Sequence, residues 1–192
     1  MDPKAIANVV RVDFITDDTT PVLYSGDTME DVGVDPIVNE GKREALRVKN
    51  KILGQNNYED LILGYDLTLK DLTFEPETFA LIDGGTYTAV TGPPAGYHYH
   101  GPALGTALTR VGSTVDVWTE EKDTNGDVVC YHRFRFPHAK GKPVKFAFKD
   151  GSFSVAEYNL RSHAKSTEKP IQIDQFAELP TGTAAELLAL PA

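Results

Sequence analysis

The sequence predicts a mainly β protein, and three features of the chain carry that prediction. Residues 61–85 join a strand-like alternation of apolar and polar residues to a short helix signal. The 12 prolines and 16 glycines stand between short runs of Val, Ile, Tyr, Phe and Thr, which favour strands. An Asn125-Gly126 turn signal lies between two alternating segments, as in a β-hairpin. We therefore expect strands arranged around one strand-helix pair.

The N-terminal part of the chain predicts a hairpin followed by a long segment without periodicity. Residues 8–15 alternate in polarity, residues 16–21 have turn composition, and residues 22–24 resume an extended pattern. Residues 25–59 are polar and aperiodic, and a segment of that length is too long for an idle connection in a compact domain. Two alternatives stay open: part of the segment forms a strand, with residues 44–52 as the candidate, or it is an arm that orders against a partner.

The central strand-helix pair supplies the predicted core. Residues 61–69 alternate between apolar and polar side chains, which is the period of a strand with one buried face. A helix is predicted to begin at Pro76, because proline is favoured in a first helical turn, and to end before Gly84 and Gly85. A helix of about two turns is unstable alone in water, so its apolar face must pack on the sheet. The predicted core side chains are Leu63, Tyr65, Leu67, Phe79, Leu81 and Ile82.

The second half of the chain predicts further strands separated by turns. Ser113–Lys122 and residues 128–137 flank the Asn-Gly turn as a hairpin, with Trp118 on the face opposite to the valines of its strand. Cys130 and His132 share one face of the return strand. Further strands are predicted at residues 86–91, 106–111, 144–148, 153–162 and 170–176, and residues 92–105 are predicted to be an aromatic loop.

Composition and charge argue against several classes of function. The formal net charge of -9 argues against a surface built to hold nucleic-acid phosphates, since such a surface needs clustered Lys and Arg. The single Cys130 excludes an internal disulfide and is expected to be a small apolar filler. The N-terminal residues lack a signal-peptide pattern, and no stretch approaches the about 18 apolar residues of a membrane span. We therefore expect a protein made and kept in the cytoplasm.

Two histidines form a pattern that resembles a metal site. His98 and His100 are two residues apart on an extended chain, so their imidazoles point the same way and could share a metal ion. Their spacing from Gly92 resembles the first half of the cupin metal motif, but Leu104 and Gly105 stand where that motif needs a glutamate. We predict an exposed aromatic loop here, and a cupin-like metal-dependent β-barrel enzyme is the alternative from another functional class.

No further residue set in the sequence predicts catalysis. His132 is expected to pack against its cross-strand neighbours, and His163 has no carboxylate or cysteine at a triad spacing. Gly84 and Gly85 follow a helix instead of preceding one, so they do not form a phosphate loop. We predict no catalytic residues, no metal and no cofactor, and therefore a chain that is not an enzyme.

One stretch of the second half is basic, and three interpretations of it stay open. The first interpretation is a nucleic-acid patch, and the second is a solvated strand face. The third is the positive half of a charged contact with another copy of this acidic chain. Its residues are Arg133, Arg135, Lys140, Lys142 and Lys145.

The order of features along the chain resembles the tail tube protein (major tail protein) of tailed bacteriophages. The resemblance begins with ILGYD at residues 62–66 and continues with FEPE, the helix FALID and a double glycine. Near the end, YNLRSHA at residues 158–164, the segment 170–176 and the ELP that follows it are similar to the family's closing order of strand, polar turn, strand and Leu-Pro. The resemblance spans residues 61–180, and the His98 and His100 loop has no counterpart in it.

The resemblance implies a β-sandwich or barrel-like subunit with one short flanking α-helix and extended arms. Six copies would close into a ring with a continuous inner β-barrel, and stacked rings would form a hollow tube that conducts DNA into the host without binding it specifically. The implied partners are further copies of the chain, the tail tip or baseplate, the tail terminator and the tape measure protein. The implied location is the tail of a virion made in the host cytoplasm, with no membrane partner.

On this interpretation, residues 1–180 form the tube domain, with an assembly arm at residues 25–59. Residues 181–192 form a C-terminal arm, and the small-residue composition of that segment leaves open whether it is extended or a short helix. Cations of the assembly arm are expected to contact acidic faces of the next ring. A tube protein of a contractile injection or secretion system shares the implied architecture and is a further alternative. The expected assembly residues are Lys42, Arg43, Arg47, Lys49 and Lys51.

Overall fold

The computed structural model describes residues 5–105, 110–146 and 148–190, and within these ranges the fold is mainly β, as predicted. Neither of the two described helices has the length and apolarity needed to cross a membrane. In chain order the elements are β1 (Ile6–Thr16), β2 (Leu23–Gly26), β3 (Met29–Asn39), β4 (Arg43–Val48), β5 (Lys51–Asn57), β6 (Leu61–Asp71), α1 (Pro76–Asp83), β7 (Thr86–Val90), β8 (Gly96–His100), β9 (Ser113–Lys122), β10 (Val128–Gly141), β11 (Ala156–Ser162), β12 (Gln172–Phe176) and α2 (Ala184–Leu188).

Eight strands form one antiparallel sheet that curls around the main core. The order of strands is β2-β1-β9-β10-β11-β6-β3, and β12 pairs with the first part of the long strand β10. Side chains from β1 and β9 pack in the same core as side chains from β6 and β11, and β1 also contacts β3. The two ends of the sheet are therefore close together, with β2 and β3 as outer strands.

Helix α1 lies where the sequence predicts it, from Pro76 to Asp83. Gly84 ends it in a left-handed conformation with a φ of 84°, and its amide donates to the Ala80 carbonyl oxygen at 3.0 Å. The helix lies tightly against β10, because a Cβ atom on Gly141 would be 2.1 Å from the carbonyl oxygen of Ile82. The strand-helix pair is thus fixed to the sheet at a position that admits only glycine.

Five of the six side chains predicted as core lie in the core or against it, and Leu63 does not. Leu63 is 49% exposed, contrary to the prediction. The reason is the register of β6, which pairs with β11 only from Tyr65 onward, so that Leu63 extends beyond the core beside β3. Leu67, Phe79 and Ile82 are buried, and Tyr65 and Leu81 are partly buried and pack against the core.

The N-terminal segment without periodicity contains three strands. Residues 25–59 form β3, which joins the main sheet, and the β4–β5 hairpin. The candidate strand at residues 44–52 instead contains the turn of that hairpin. Bulges in β3 and β5, together with Pro36 inside β3, break the period-2 pattern that would have revealed these strands.

Two further segments differ from their predictions. Residues 92–105, predicted to be a loop, contain β8, which pairs with β7 as a separate hairpin. Residues 144–148, predicted to be a strand, contribute an isolated bridge between Lys145 and Glu157. The strand predicted at residues 106–111 lies largely outside the described residues.

The C-terminal segment packs on the sheet through helix α2. Thr183 and Glu186 form a reciprocal capping box at the start of this helix. Leu187 is 2% exposed and packs in a second apolar cluster with Ile15. Because Ile15 points away from the main core, α2 covers the opposite face of the sheet. The helix matches one of the two alternatives predicted for residues 181–192, and the structure packs it on the sheet.

Candidate assembly surfaces

The β4–β5 hairpin, with the Lys42 that precedes it (residues 42–57), forms a two-stranded sheet separate from the main one. Its tip is the short turn between Val48 and Lys51, in which Lys49 has a φ of 54°. Just before its base, the Gly41 amide donates to Asp60 Oδ1 at 2.7 Å. The backbone groups of β4 and β5 form hydrogen bonds with each other. The side chains of the hairpin are exposed and available for contacts with a partner.

Apolar side chains are exposed on both faces of the hairpin. Leu46 is 64% exposed and lies opposite Gly54, whereas Ile52 is 58% exposed and lies opposite Arg47 on the other face. A lone two-stranded hairpin is marginally stable in water, and exposed apolar groups on both faces favour a partner that covers it. The four large apolar side chains of the hairpin are Leu46, Val48, Ile52 and Leu53.

The hairpin is basic, although the chain as a whole is acidic. It carries five cations and one carboxylate, whereas the chain has a formal net charge of -9. Lys42 forms an ion pair with Glu44 of the same hairpin, and the Arg47 guanidinium donates to the Lys49 carbonyl oxygen at 2.9 Å. The hairpin therefore presents a positive surface that suits an acidic partner. Its cations are the predicted assembly residues Lys42, Arg43, Arg47, Lys49 and Lys51, and all five are exposed.

Strand β3 is an acidic edge strand. It pairs with β6 on one side, and within the described residues no strand pairs with its other side. Pro36 fits such a position, since proline cannot donate a hydrogen bond to a ladder. Glu30, Asp31 and Asp35 are exposed along the strand, and Lys70 pairs with Asp31 at 2.8 Å. One chain thus carries a basic hairpin and an acidic edge.

A groove lined with aromatic side chains opens beside α1. Its volume is about 620 Å³. The buried ring of Phe79 meets the ring of Tyr99 edge-on, with centroids 4.9 Å apart. The Tyr99 hydroxyl donates to the Asp83 carboxylate, and burial together with this hydrogen bond raises the pKa of the phenol above its usual value. The groove adds to the apolar surface that a single chain leaves open to solvent, and its other aromatic residues are Phe74, Tyr97, Phe146 and Phe148.

The two histidines of the possible metal motif lie on β8 and are both exposed. The rings of His98 and His100 are near each other, with centroids 6.4 Å apart. In residues 5–105, 110–146 and 148–190, no third His, Cys, Asp or Glu brings a ligand atom to them. The described part of the chain therefore lacks the ligand set of a cupin-like enzyme.

The two arginines of the basic stretch are not on a solvated face. Arg133 is fully buried, and its Nε and Nη2 atoms lie 2.9 and 2.5 Å from Asp174 Oδ2. The Arg135 guanidinium binds both carboxylate oxygens of the fully buried Asp116, at 2.7 and 2.6 Å. Both arginines also donate to the carbonyl oxygen of Leu187 at the end of α2. These contacts correct the interpretation of the two arginines as a nucleic-acid patch or a solvated strand face.

The remaining residues of the basic stretch point elsewhere. Lys142 lies 3.2 Å from the Asp66 carboxylate, and Lys140 is exposed. Lys145 makes the isolated bridge to Glu157. The five residues that the sequence places together therefore form no common surface.

No protein-family model and no curated protein matches the chain. The chain is similar to one from the sheath-tube complex of an extracellular contractile injection system (PVC) in its extended state, with a TM-score of 0.49, 12% identity and coverage of 88% of this chain and 90% of that one. It is similar to a chain of the anti-feeding prophage (AFP) baseplate, with a TM-score of 0.43, 12% identity and coverage of 90% and 97%. It is also similar to a chain of the AFP tube-terminating cap, with a TM-score of 0.48, 11% identity and coverage of 91% and 92%. These similarities alone assign no function to this chain.

Proposed function

We propose that this chain is a structural subunit that assembles with copies of itself into a hollow tube of the phage-tail type. Six copies would close into a ring and the rings would stack, as the resemblance of residues 61–180 to tail tube proteins implies. The observation that carries the proposal is the hairpin at residues 42–57, which is basic and exposes apolar side chains on an otherwise acidic chain. Such a surface needs a partner, and another copy of the chain supplies the complementary charge.

Ring closure would also remove open sheet edges. The outer strands β2 and β3 are edges of the kind that pair with other chains. Joining the edges of neighbouring subunits would give a closed barrel without exposed backbone groups. Because the chain is acidic, the lumen of this tube would let DNA pass without specific binding.

The proposal extends to partners and location. The ends of the tube would contact a tail tip or baseplate and a tail terminator, and a tape measure protein would lie inside during assembly. The tube would be made in the host cytoplasm and would act in the virion without enzymatic activity. The tube of a contractile injection or secretion system has the same proposed subunit architecture, and co-purification with a sheath protein would distinguish it from the tube of a non-contractile tail.

A single substitution on the hairpin is expected to block assembly without unfolding the subunit. Ile52 is 58% exposed, so Ile52→Asp places a carboxylate in the proposed contact and leaves the core unchanged. We expect association at least about tenfold weaker, because one desolvated charge at an interface costs more than about 1.4 kcal/mol. Size-exclusion chromatography with light scattering measures the change.

The matched control for this substitution is Ile173→Asp on β12. Ile173 is 57% exposed, so the two variants change the same residue type at nearly the same exposure. The control should assemble like the wild-type protein. If both variants assemble equally well, the hairpin is not the contact.

Charge reversal on the hairpin is expected to weaken assembly most at low salt. An attraction between the hairpin and the acidic surface of another copy is screened as ionic strength rises, so the variant should differ most from wild type where screening is weakest. Light scattering across a salt series gives the comparison. A control with the same change in net charge should behave like wild type, and equal weakening in both variants would mean that total charge, not the hairpin, governs assembly. The hairpin variant is Arg47→Glu, Lys49→Glu and Lys51→Glu, and the control is Lys149→Glu, Lys165→Glu and Lys169→Glu, all at exposed positions.

A further inference from the structure

Three side chains of metal-binding type meet within the β9–β10 hairpin, away from the assembly surfaces. Glu121 Oε2 lies 3.1 Å from Cys130 Sγ and 2.9 Å from His132 Nε2, and these two atoms are 3.8 Å apart. All three residues are buried. Within the described ranges, no other group of three or more His, Cys, Asp or Glu residues has its ligand atoms within 4.8 Å of one another.

The register of three strands explains the cluster. Cys130 and His132 are two residues apart on β10 and therefore lie on the same face. Glu121 of β9 is directly opposite Cys130. Gln175 of β12 is directly opposite His132, and its amide nitrogen donates to Cys130 Sγ at 3.1 Å. The cysteine predicted to be an apolar filler is thus surrounded by polar groups.

We propose that Glu121, Cys130 and His132 bind one Zn²⁺ ion. A tetrahedral zinc ion with bonds of about 2.0 Å to nitrogen or oxygen and about 2.3 Å to sulfur holds its ligand atoms about 3.3–3.5 Å apart. The three separations in this cluster lie within about 0.5 Å of those values. Small side-chain rotations therefore suffice to admit the ion.

The chemistry of the ligand set selects zinc among common divalent ions. A thiolate and a carboxylate together balance the two positive charges of the ion, and a neutral imidazole adds a third ligand. Sulfur and nitrogen ligands favour zinc over magnesium or calcium, which prefer oxygen. The cluster thus has the character of a zinc site, with three protein ligands and a fourth position for a water molecule or an amide oxygen.

The surroundings of the cluster provide access and further polar groups. Gln175 is itself exposed, so the ion reaches the cluster by displacing one surface side chain. Thr119, opposite His132 on β9, has a buried hydroxyl without a hydrogen-bond partner in the described part of the chain. A zinc ion with a bound water would place a polar partner on this side of the sheet. The ion would tie β9 to β10 near the turn of their hairpin.

The test starts from the purified full-length protein after removal of metal with a chelator. Adding Zn²⁺ is expected to give one bound ion per chain by elemental analysis. Because the ion binds the folded state, a free Zn²⁺ concentration 100 times Kd should lower the unfolding equilibrium constant about 100-fold and raise Tm. Adding Co²⁺ instead should give a thiolate-to-cobalt charge-transfer band, and Cys130 is the single cysteine that can produce it.

Substitutions decide between this cluster and other sites. Cys130→Ser and His132→Gln should lose the bound ion and the rise in Tm, whereas the double variant His98→Ala and His100→Ala should keep both. If the Cys130 variant fails to fold, the cobalt band of the wild-type protein still reports the thiolate. A folded wild-type protein that binds no Zn²⁺ and gives no cobalt band would overturn the proposal and leave a metal-free hydrogen-bonded cluster. Binding that depends on His98 and His100 would overturn it as well.

Discussion

Phe79→Asp is expected to abolish the cooperative unfolding transition of the protein. Phe79 is 5% exposed, and its ring packs against Phe74 and Tyr99 with centroids 5.2 and 4.9 Å away. Truncating a buried phenylalanine costs about 3–5 kcal/mol, and burying a carboxylate in its place adds a large desolvation cost. A domain has a total stability of about 5–15 kcal/mol, so the two costs together remove most or all of it.

The control for this substitution is Phe153→Asp. Phe153 is 98% exposed, so the same change of residue type removes no packing there. We expect the control to keep the wild-type melting curve in circular dichroism and the wild-type soluble yield. An intact transition and an equal yield for Phe79→Asp would refute the assignment of α1 to the core.

Arg133→Met is expected to destabilise the protein by about 3–5 kcal/mol, because it leaves one member of a buried ion pair without its partner. Arg133 is fully buried and binds Asp174 of the neighbouring strand. Its guanidinium also lies 5.9 Å from the ring centre of Trp118 and 5.2 Å from that of Phe176, and it donates to the Leu187 carbonyl oxygen at 3.5 Å. The substitution should therefore also loosen α2 from the sheet. Urea denaturation measures the loss of stability, and proteolysis near the C-terminus measures the release of α2.

The matched control is Arg161→Met, because Arg161 also binds a carboxylate on the neighbouring strand but is exposed. Arg161 and Asp66 are directly opposite each other on neighbouring strands, as are Arg133 and Asp174. The hydrogen bond from Arg161 is the largest cause that lowers the pKa of Asp66 to about 2, but the pair is exposed and solvent screens it. We expect the control to change stability only marginally. Equal losses in the two variants would show that burial does not set the strength of these pairs.

The parts of the fold that the sequence predicts well are those with strong local signals. The β9–β10 hairpin follows from an Asn-Gly turn, and Asp123 supports that turn by accepting hydrogen bonds from the amides of Asn125 and Asp127 at 2.8 and 2.9 Å. Helix α1 follows from Pro76 at its start and Gly84 at its end. Neither feature needs any knowledge of distant contacts.

The predictions that differ from the structure depend on pairing between distant strands. The exposure of Leu63 depends on where β11 stops pairing with β6, and the burial of Arg133 depends on the docking of α2 and β12. Positive charge in a strand usually indicates a solvated face, so the sequence alone favours exposure for this arginine. The burial of these side chains follows from long-range register, which local periodicity does not contain.

The sequence predicts the candidate sites only in part, for the same reason. The cations of the hairpin at residues 42–57 are visible in the sequence as a basic run, but its apolar side chains are not distinctive until the two strands pair. Glu121 and Cys130 are nine positions apart in the sequence, which is too far for a local metal motif. The register of the β9–β10 hairpin places them directly opposite each other. His98 and His100 have a familiar spacing, yet the described fold brings no third ligand to them.

The most direct test of the proposed function is electron microscopy of the concentrated wild-type protein in negative stain, beside the Ile52→Asp variant. We predict rings or hollow tubes with six-fold end views for the wild type, and far fewer of them at the same concentration for the variant, whose substituted side chain lies on the exposed hairpin. Wild-type protein that shows neither rings nor tubes at any concentration, and that light scattering finds to be a monomer throughout, would contradict self-assembly as the function of this chain.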